Sequence, residues 1–261
     1  MVCDPQDRKK GVPQPLPGRR NKQETRTALV AAAFDELTGQ SLDGLSIRRL
    51  TAAVGITPAA FYRHFTDLDD IGLVLVDEAV SQLASAVREG LANLNQDNGP
   101  AVIATIATSL SEAAARYRPQ MIFVARERCS GRERIQVAIS DGIRRVTLET
   151  AGELKAKTRI RDWSWEDTLV VSDAMVHFGI HFIEQLVLSP PSQRRTDEAT
   201  SLFYRQLFLL AYGADSIGPF LASGGKIPDS EFESAAALPL TRTDDEESPD
   251  LGHNCLSDRR E

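Results

Sequence analysis

Residues 46–65 read SIRRLTAAVGITPAAFYRHF, and the spacing divides them into two short helices joined at a glycine. Ser46 stands where a hydroxyl can cap the first helix, and Ile47, Leu50 and Val54 recur at helical spacing to face a core. Gly55 occupies the helix end, where a left-handed backbone is unstrained only for glycine. Ile56 fills the corner; Thr57 caps the second helix and Pro58 takes its first position, where no amide is needed. Ala59 and Ala60 keep the tip small, so that the backbone can approach another surface closely. Phe61 and Phe65, four residues apart, turn inward, while Tyr62, Arg63 and His64 fan outward. The stretch holds Arg48, Arg49, Arg63 and His64 and no Asp or Glu. An acid-free helix pair with this arrangement suits the major groove of DNA, although amphipathic helix pairs also occur in proteins that never touch nucleic acid. Residues 24–37, ETRTALVAAAFDEL, supply a third helix whose Leu29, Val30, Ala33, Phe34 and Leu37 can cover the back of the pair.

The pattern Gly-(Val/Ile)-(Thr/Ser)-x-x-x-(Leu/Phe)-Tyr-x-(His/Tyr)-Phe, filled by Gly55, Ile56, Thr57, Phe61, Tyr62, His64 and Phe65, resembles the DNA-binding domain of TetR-family regulators. The continuation FYRHFTDLDDIGLVLVDE (61–78) and RERCSG (126–131) are similar to a narrower branch, the regulators of unsaturated fatty-acid synthesis that bind acyl-CoA. The likeness spans roughly residues 22–216. It implies an all-α fold: an N-terminal three-helix DNA-binding domain and a C-terminal helical bundle for ligand binding and dimerisation. It further implies a homodimer on palindromic double-stranded operator DNA. By the same resemblance Arg48 reaches a base edge, and Pro58, Ala59 and Ala60 meet thymine methyls or allow close approach. Ser46, Thr57, Tyr62 and His64 hold phosphates, and Arg63 touches phosphate or base. Many family members carry a lysine at the start of the fourth helix, where this chain has Leu68, Asp69 and Asp70. Asp67 and Asp70 suit the helix terminus electrostatically, and Arg19, Arg20, Lys22 and Arg26 are the candidates to supply the missing charge.

Charge is segregated. The net charge is −7, but residues 224–261 alone hold ten acids and four bases, which leaves the remainder at only −1. Between Arg8 and Arg26 seven bases face one acid, Glu24. Residues 1–21, with their prolines, read as a disordered basic arm and 219–261 as an acidic tail. The helix-turn-helix domain is then expected at 22–68 and the effector and dimerisation domain at 69–218. Cys3, Cys129 and Cys255 form no metal spacing, and no apolar run is long enough for a membrane span. A cytoplasmic protein without cofactor is expected.

The body reads as helices throughout, about 69–91, 100–117, 119–129, 132–156, 164–188 and 197–217. Segments 168–188 and 201–214 are apolar over most of their circumference, which suits burial against both a core and a second copy. A pocket lined by Ile103, Ile106, Leu110, Ile122, Phe123, Ile139, Ile143, Val146, Met175 and Phe178 suits an acyl chain or another hydrophobic molecule. Arg126 and Arg128 could meet the phosphates of coenzyme A, or form an ordinary ion-pair cluster with Glu127. The alternatives are a regulator of efflux or catabolic genes with another hydrophobic effector and, more distantly, a metal-dependent enzyme using His177, His181 and Glu184. Those three share one helical face, but no nucleophile motif or phosphate loop accompanies them. The residues do not disclose whether an effector strengthens or weakens DNA binding.

Overall fold

The computed structural model describes residues 21–92 and 99–223. Among them lie nine α-helices, two short 3-10 turns and no strand. α1 (Lys22–Leu37) opens with a capping box: Asn21 Oδ1 accepts from the Glu24 amide at 2.8 Å, and Glu24 returns an oxygen to the Asn21 amide at 3.0 Å. This cap starts the helix at Lys22, two residues before the expected start at Glu24. A 3-10 turn (Leu42–Gly44) leads to α2 (Ile47–Val54). Ser46 flanks α2 without a side-chain cap, contrary to the expectation; its carbonyl accepts the Leu50 amide instead. Gly55 takes φ 76° and ψ 32°, and α3 (Pro58–Phe61) follows with Thr57 Oγ1 accepting from the Ala60 amide at 3.3 Å.

α4 (Leu68–Leu91) begins where Asp67 accepts from the Asp70 amide at 2.7 Å. It runs from the small N-terminal unit into a bundle formed by α5 (Gly99–Arg116), α6 (Arg118–Glu127), α7 (Glu133–Lys157), α8 (Trp165–Leu188) and α9 (Gln193–Ala222). A second 3-10 turn, Arg159–Asp162, joins α7 to α8. Ser164 caps α8 by accepting the Asp167 amide, while its hydroxyl donates to Asp167 at 2.7 Å, so the carboxylate answers the hydroxyl and not the backbone. One continuous apolar core passes from Leu29, Phe34, Leu50, Phe61 and Phe65 through Ile71 and Leu75 into the bundle. Each fully buried side chain of this size contributes roughly 1.5–3 kcal/mol. α7 crosses α4 closely at Gly142, where an added Cβ would stand 2.5 Å from Val80 Cγ2. No helix of the described residues is long and apolar enough to cross a membrane.

A polar junction ties the first unit to the bundle. The buried Glu127 accepts the Leu42 amide at 2.8 Å, and Arg126 donates to the carbonyl of Leu37 at 3.1 Å. Arg132, just before α7, donates to Asp43 at 2.6 Å and also to Asp69. Asp69, at the head of α4, is thereby spent on structure.

Candidate nucleic-acid interface

The glycine turn and the Thr57 cap set α3 against α2, and Phe61 and Phe65, buried and 5.6 Å apart between centroids, anchor it from behind. What remains outward is Thr57, Pro58, Ala59, Tyr62 and Arg63, all exposed, with Ala60 and His64 half-buried. The two arginines of α2 separate sharply. Arg49 is tied down, pairing with Glu36 at 3.3 Å and donating to Gln40 at 2.7 Å and to the Gly44 carbonyl. Arg48 is exposed, with no side-chain hydrogen bond or ion pair among the described residues. It is therefore the guanidinium of α2 available for a base edge.

Beyond α3 the charge comes from α1. The Arg26 guanidinium lies 4.9 Å from the centre of the Phe65 ring, a cation–π contact. Burial lowers the His64 pKa below its usual 6.5, and Lys22, Arg26 and Arg63 lower it further through their charge. His64 Nδ1 is buried without a partner. Lys22, Arg26 and Arg63 thus act together on this imidazole, and among the described residues none of the three forms an ion pair, a composition that suits a phosphate. Thr66 closes the other side: its amide donates to Asp70 at 2.8 Å, so Asp70, like Asp67, serves the start of α4. Arg19 and Arg20 of the expected basic arm lie outside the described residues, as do residues 224–261 of the acidic tail; the tail's expected start at 219 is corrected by α9, which continues to Ala222.

These features coincide with known sequence patterns. Residues 29–71 match the family model for bacterial regulatory proteins of the tetR family. An HTH-type transcriptional regulator of Haemophilus influenzae is 29% identical over 195 residues, covering 74% of this chain and 92% of the relative. The chain is thus similar to TetR-family transcriptional regulators, most closely in its N-terminal helices. Two solved structures share the fold of this chain. A Syntrophomonas wolfei protein ascribed to the family superposes with a TM-score of 0.59 at 15% identity, over 74% of this chain and 97% of its own. The fatty acid degradation regulator FadR of Bacillus halodurans gives 0.57 at 12% identity, over 74% and 98%.

The residues expected to form one effector pocket are divided between several places in the fold. Ile106, Leu110 and Met175 border a narrow apolar seam of only about 30 Å³ among α4, α5, α7, α8 and α9. Arg128, Ile139 and Ile143 line an open groove of about 670 Å³ between α7 and α8. Ile103 and Phe123 are core residues, Phe123 meeting Phe34 edge-on at 5.9 Å, and Phe178 is half-buried against the core. Arg126 faces the DNA-binding unit. His177 bonds to the Asp173 carbonyl at 2.9 Å, His181 meets Gln185, and Glu184 pairs with Arg128 at 3.3 Å. Among the described residues no three metal-ligating side chains come together. Sequence reasoning missed the groove residues Gln136, Arg144, Thr147 and Asp173 and the junction residue Glu127. Glu127 finds its partner Leu42 85 residues away, and the groove residues come together only across α7 and α8, so no local pattern signals either place.

Proposed function

We propose that this regulator binds a palindromic operator as a homodimer, probing the major groove with α3 and a base edge with Arg48. The observation that carries the reading is the asymmetry of α2: Arg49 is consumed by Glu36 and Gln40, while Arg48 stands exposed and unpaired on an acid-free face. Ser46, Thr57, Tyr62, His64 and Arg63, with Lys22 and Arg26, take the flanking phosphates in this reading; Arg19 and Arg20 extend that contact from the arm. Pro58, Ala59 and Ala60 form the close-approach tip. Residues 22–68 serve as the DNA-reading domain and 69–218 as the effector and dimerisation domain.

Dimerisation through α8 and α9 is supported by a row of exposed apolar side chains: Leu188, Leu202, Leu209 and Tyr212. Isolated exposed leucines need no explanation, but several together on two adjacent helices indicate a covered face. For the effector we infer an acyl-CoA and lipid-gene targets, supported by the 61–78 and 126–131 resemblance and by a fold neighbour that regulates fatty acid degradation. An acyl chain placed in the seam at Ile106, Leu110 and Met175 would have to widen it, since the seam offers only about 30 Å³. Another hydrophobic effector, for efflux or catabolic genes, is the second reading.

A gel shift on DNA upstream of its own and neighbouring genes tests the core of this reading. A discrete complex competed only by that DNA is expected; binding indifferent to sequence would overturn it. Adding long-chain acyl-CoA should then change the operator affinity, and an unchanged shift would remove the lipid reading while leaving the DNA reading intact.

A further inference from the structure

The groove between α7 and α8 has a definite chemistry. Ile139 and Ile143 give it an apolar stretch, and it is large enough for a small molecule. Arg128 stands at one end, half-buried and held by Glu184 at 3.3 Å. Arg144 lines the groove eight residues along α7 from Gln136, roughly 12 Å at the helical rise. It is exposed and makes no ion pair among the described residues. Thr147, also lining the groove, is only 6% exposed, and its hydroxyl has no partner. The acid on the facing helix, Asp173, is already approached by His177 at 3.4 Å.

An uncharged ligand would gain at most a hydrogen bond to a neutral acceptor from either guanidinium. An anion would make charge-assisted bonds to Arg128, in a partly desolvated place where such bonds are strong. We propose that this groove binds an amphipathic anion whose carboxylate or phosphate takes Arg128 from Glu184, with its apolar part laid along Ile139 and Ile143. Arg144 raises the positive potential along the path, and Thr147 offers a hydrogen bond to a polar group partway down the ligand. The proposal deepens the effector reading and rests on it for its biological sense, but not on DNA binding. A fatty-acid carboxylate and the phosphates of a coenzyme A thioester share the required chemistry.

Glu184 competes with the ligand for Arg128, and that gives the test its sign. Calorimetric titration of the full chain with dodecyl phosphate, dodecanoate, dodecanol and unacylated coenzyme A, each below its micelle concentration, separates the cases. Both dodecyl anions should bind and dodecanol should not; binding of coenzyme A alone would name the nucleotide head as the source of the anion, and its absence the carboxylate. Arg128→Gln should weaken the dodecyl anions about tenfold, the equivalent of ~1.4 kcal/mol, whereas Glu184→Gln should strengthen them. Dodecanol binding as well as dodecyl phosphate would overturn the proposal. So would both substitutions weakening binding alike, the signature of a merely structural ion pair. Operator gel shifts of the unliganded protein, run in parallel, report the DNA reading independently.

Discussion

Two neighbouring arginines, both exposed, carry different duties, and substitution should separate them. Arg48→Ala should leave the melting temperature unchanged and weaken operator binding by ~1–3 kcal/mol, with relaxed preference at one base pair, as removal of a base-reading arginine does. Arg49→Ala breaks the pair with Glu36, whose partners are 53% and 31% exposed, so its stability effect stays within about 0–1 kcal/mol. Competition binding on operator variants decides between them, and equal losses for both arginines would refute the division. His64 adds a pH dependence. Its folded pKa lies below 6.5, from burial first and then from Lys22, Arg26 and Arg63. The unfolded chain therefore takes up its proton earlier as the pH drops. This contribution to stability is complete above pH 6.5 and is lost as the pH falls through the depressed folded value. A phosphate at this site would raise the pKa again, so operator binding should take up a proton and strengthen on mild acidification. His64→Gln should flatten both dependences, read by melting curves and binding isotherms from pH 5 to 8.

The two glycines of α7 test packing at the scale of an element. Glycine within a helix ordinarily costs roughly 0.5–1 kcal/mol relative to alanine. At Gly152 nothing lies within 4 Å of an added Cβ, so Gly152→Ala should stabilise by about that amount. At Gly142 the Cβ would stand 2.5 Å from one Val80 methyl and 3.3 Å from its branch point, so Gly142→Ala must part α7 from α4. Overpacking of this kind costs typically 1–3 kcal/mol, which outweighs the helix gain. Opposite shifts of the denaturation midpoint are expected, and shifts of the same sign would show that the α4–α7 crossing is looser than its geometry. The helices themselves, the Gly55 turn and the Thr57 cap were legible because each signal sits within a few residues of its effect. The junction and the groove were not. Arg126, Glu127 and Arg128 read as one charged cluster, yet each helical residue turns about 100° from the last. Arg126 accordingly reaches Leu37, Glu127 is buried on Leu42, 85 residues away, and Arg128 enters the groove. The expected single pocket failed for the same reason, since apolar helix positions say that a side chain is buried but not against which neighbour.

At the scale of the whole molecule, half of the proposed machinery lies in a second copy. One chain presents one α3, and a palindromic site needs two at a fixed separation. Leu209 is 71% exposed and Tyr212 57%, and the Tyr212 ring stands 4.3 Å from that of the half-buried Phe208 on α9. In a monomer, Leu209→Asp would alter only a solvated helix position and should change stability by less than about 0.5 kcal/mol. In a dimer sealed by α8 and α9 it would bury an unpaired carboxylate, a penalty of several kcal/mol against association. The variant should therefore elute as a folded monomer in sizing with light scattering, with full helical content. It should lose most of its operator affinity although every residue of the DNA-reading face is intact. The wild type should melt at higher temperature as its concentration rises, because subunit binding stabilises the folded state by mass action. A Leu209→Asp chain that remains dimeric and holds operator as the wild type does would move the interface elsewhere on the bundle.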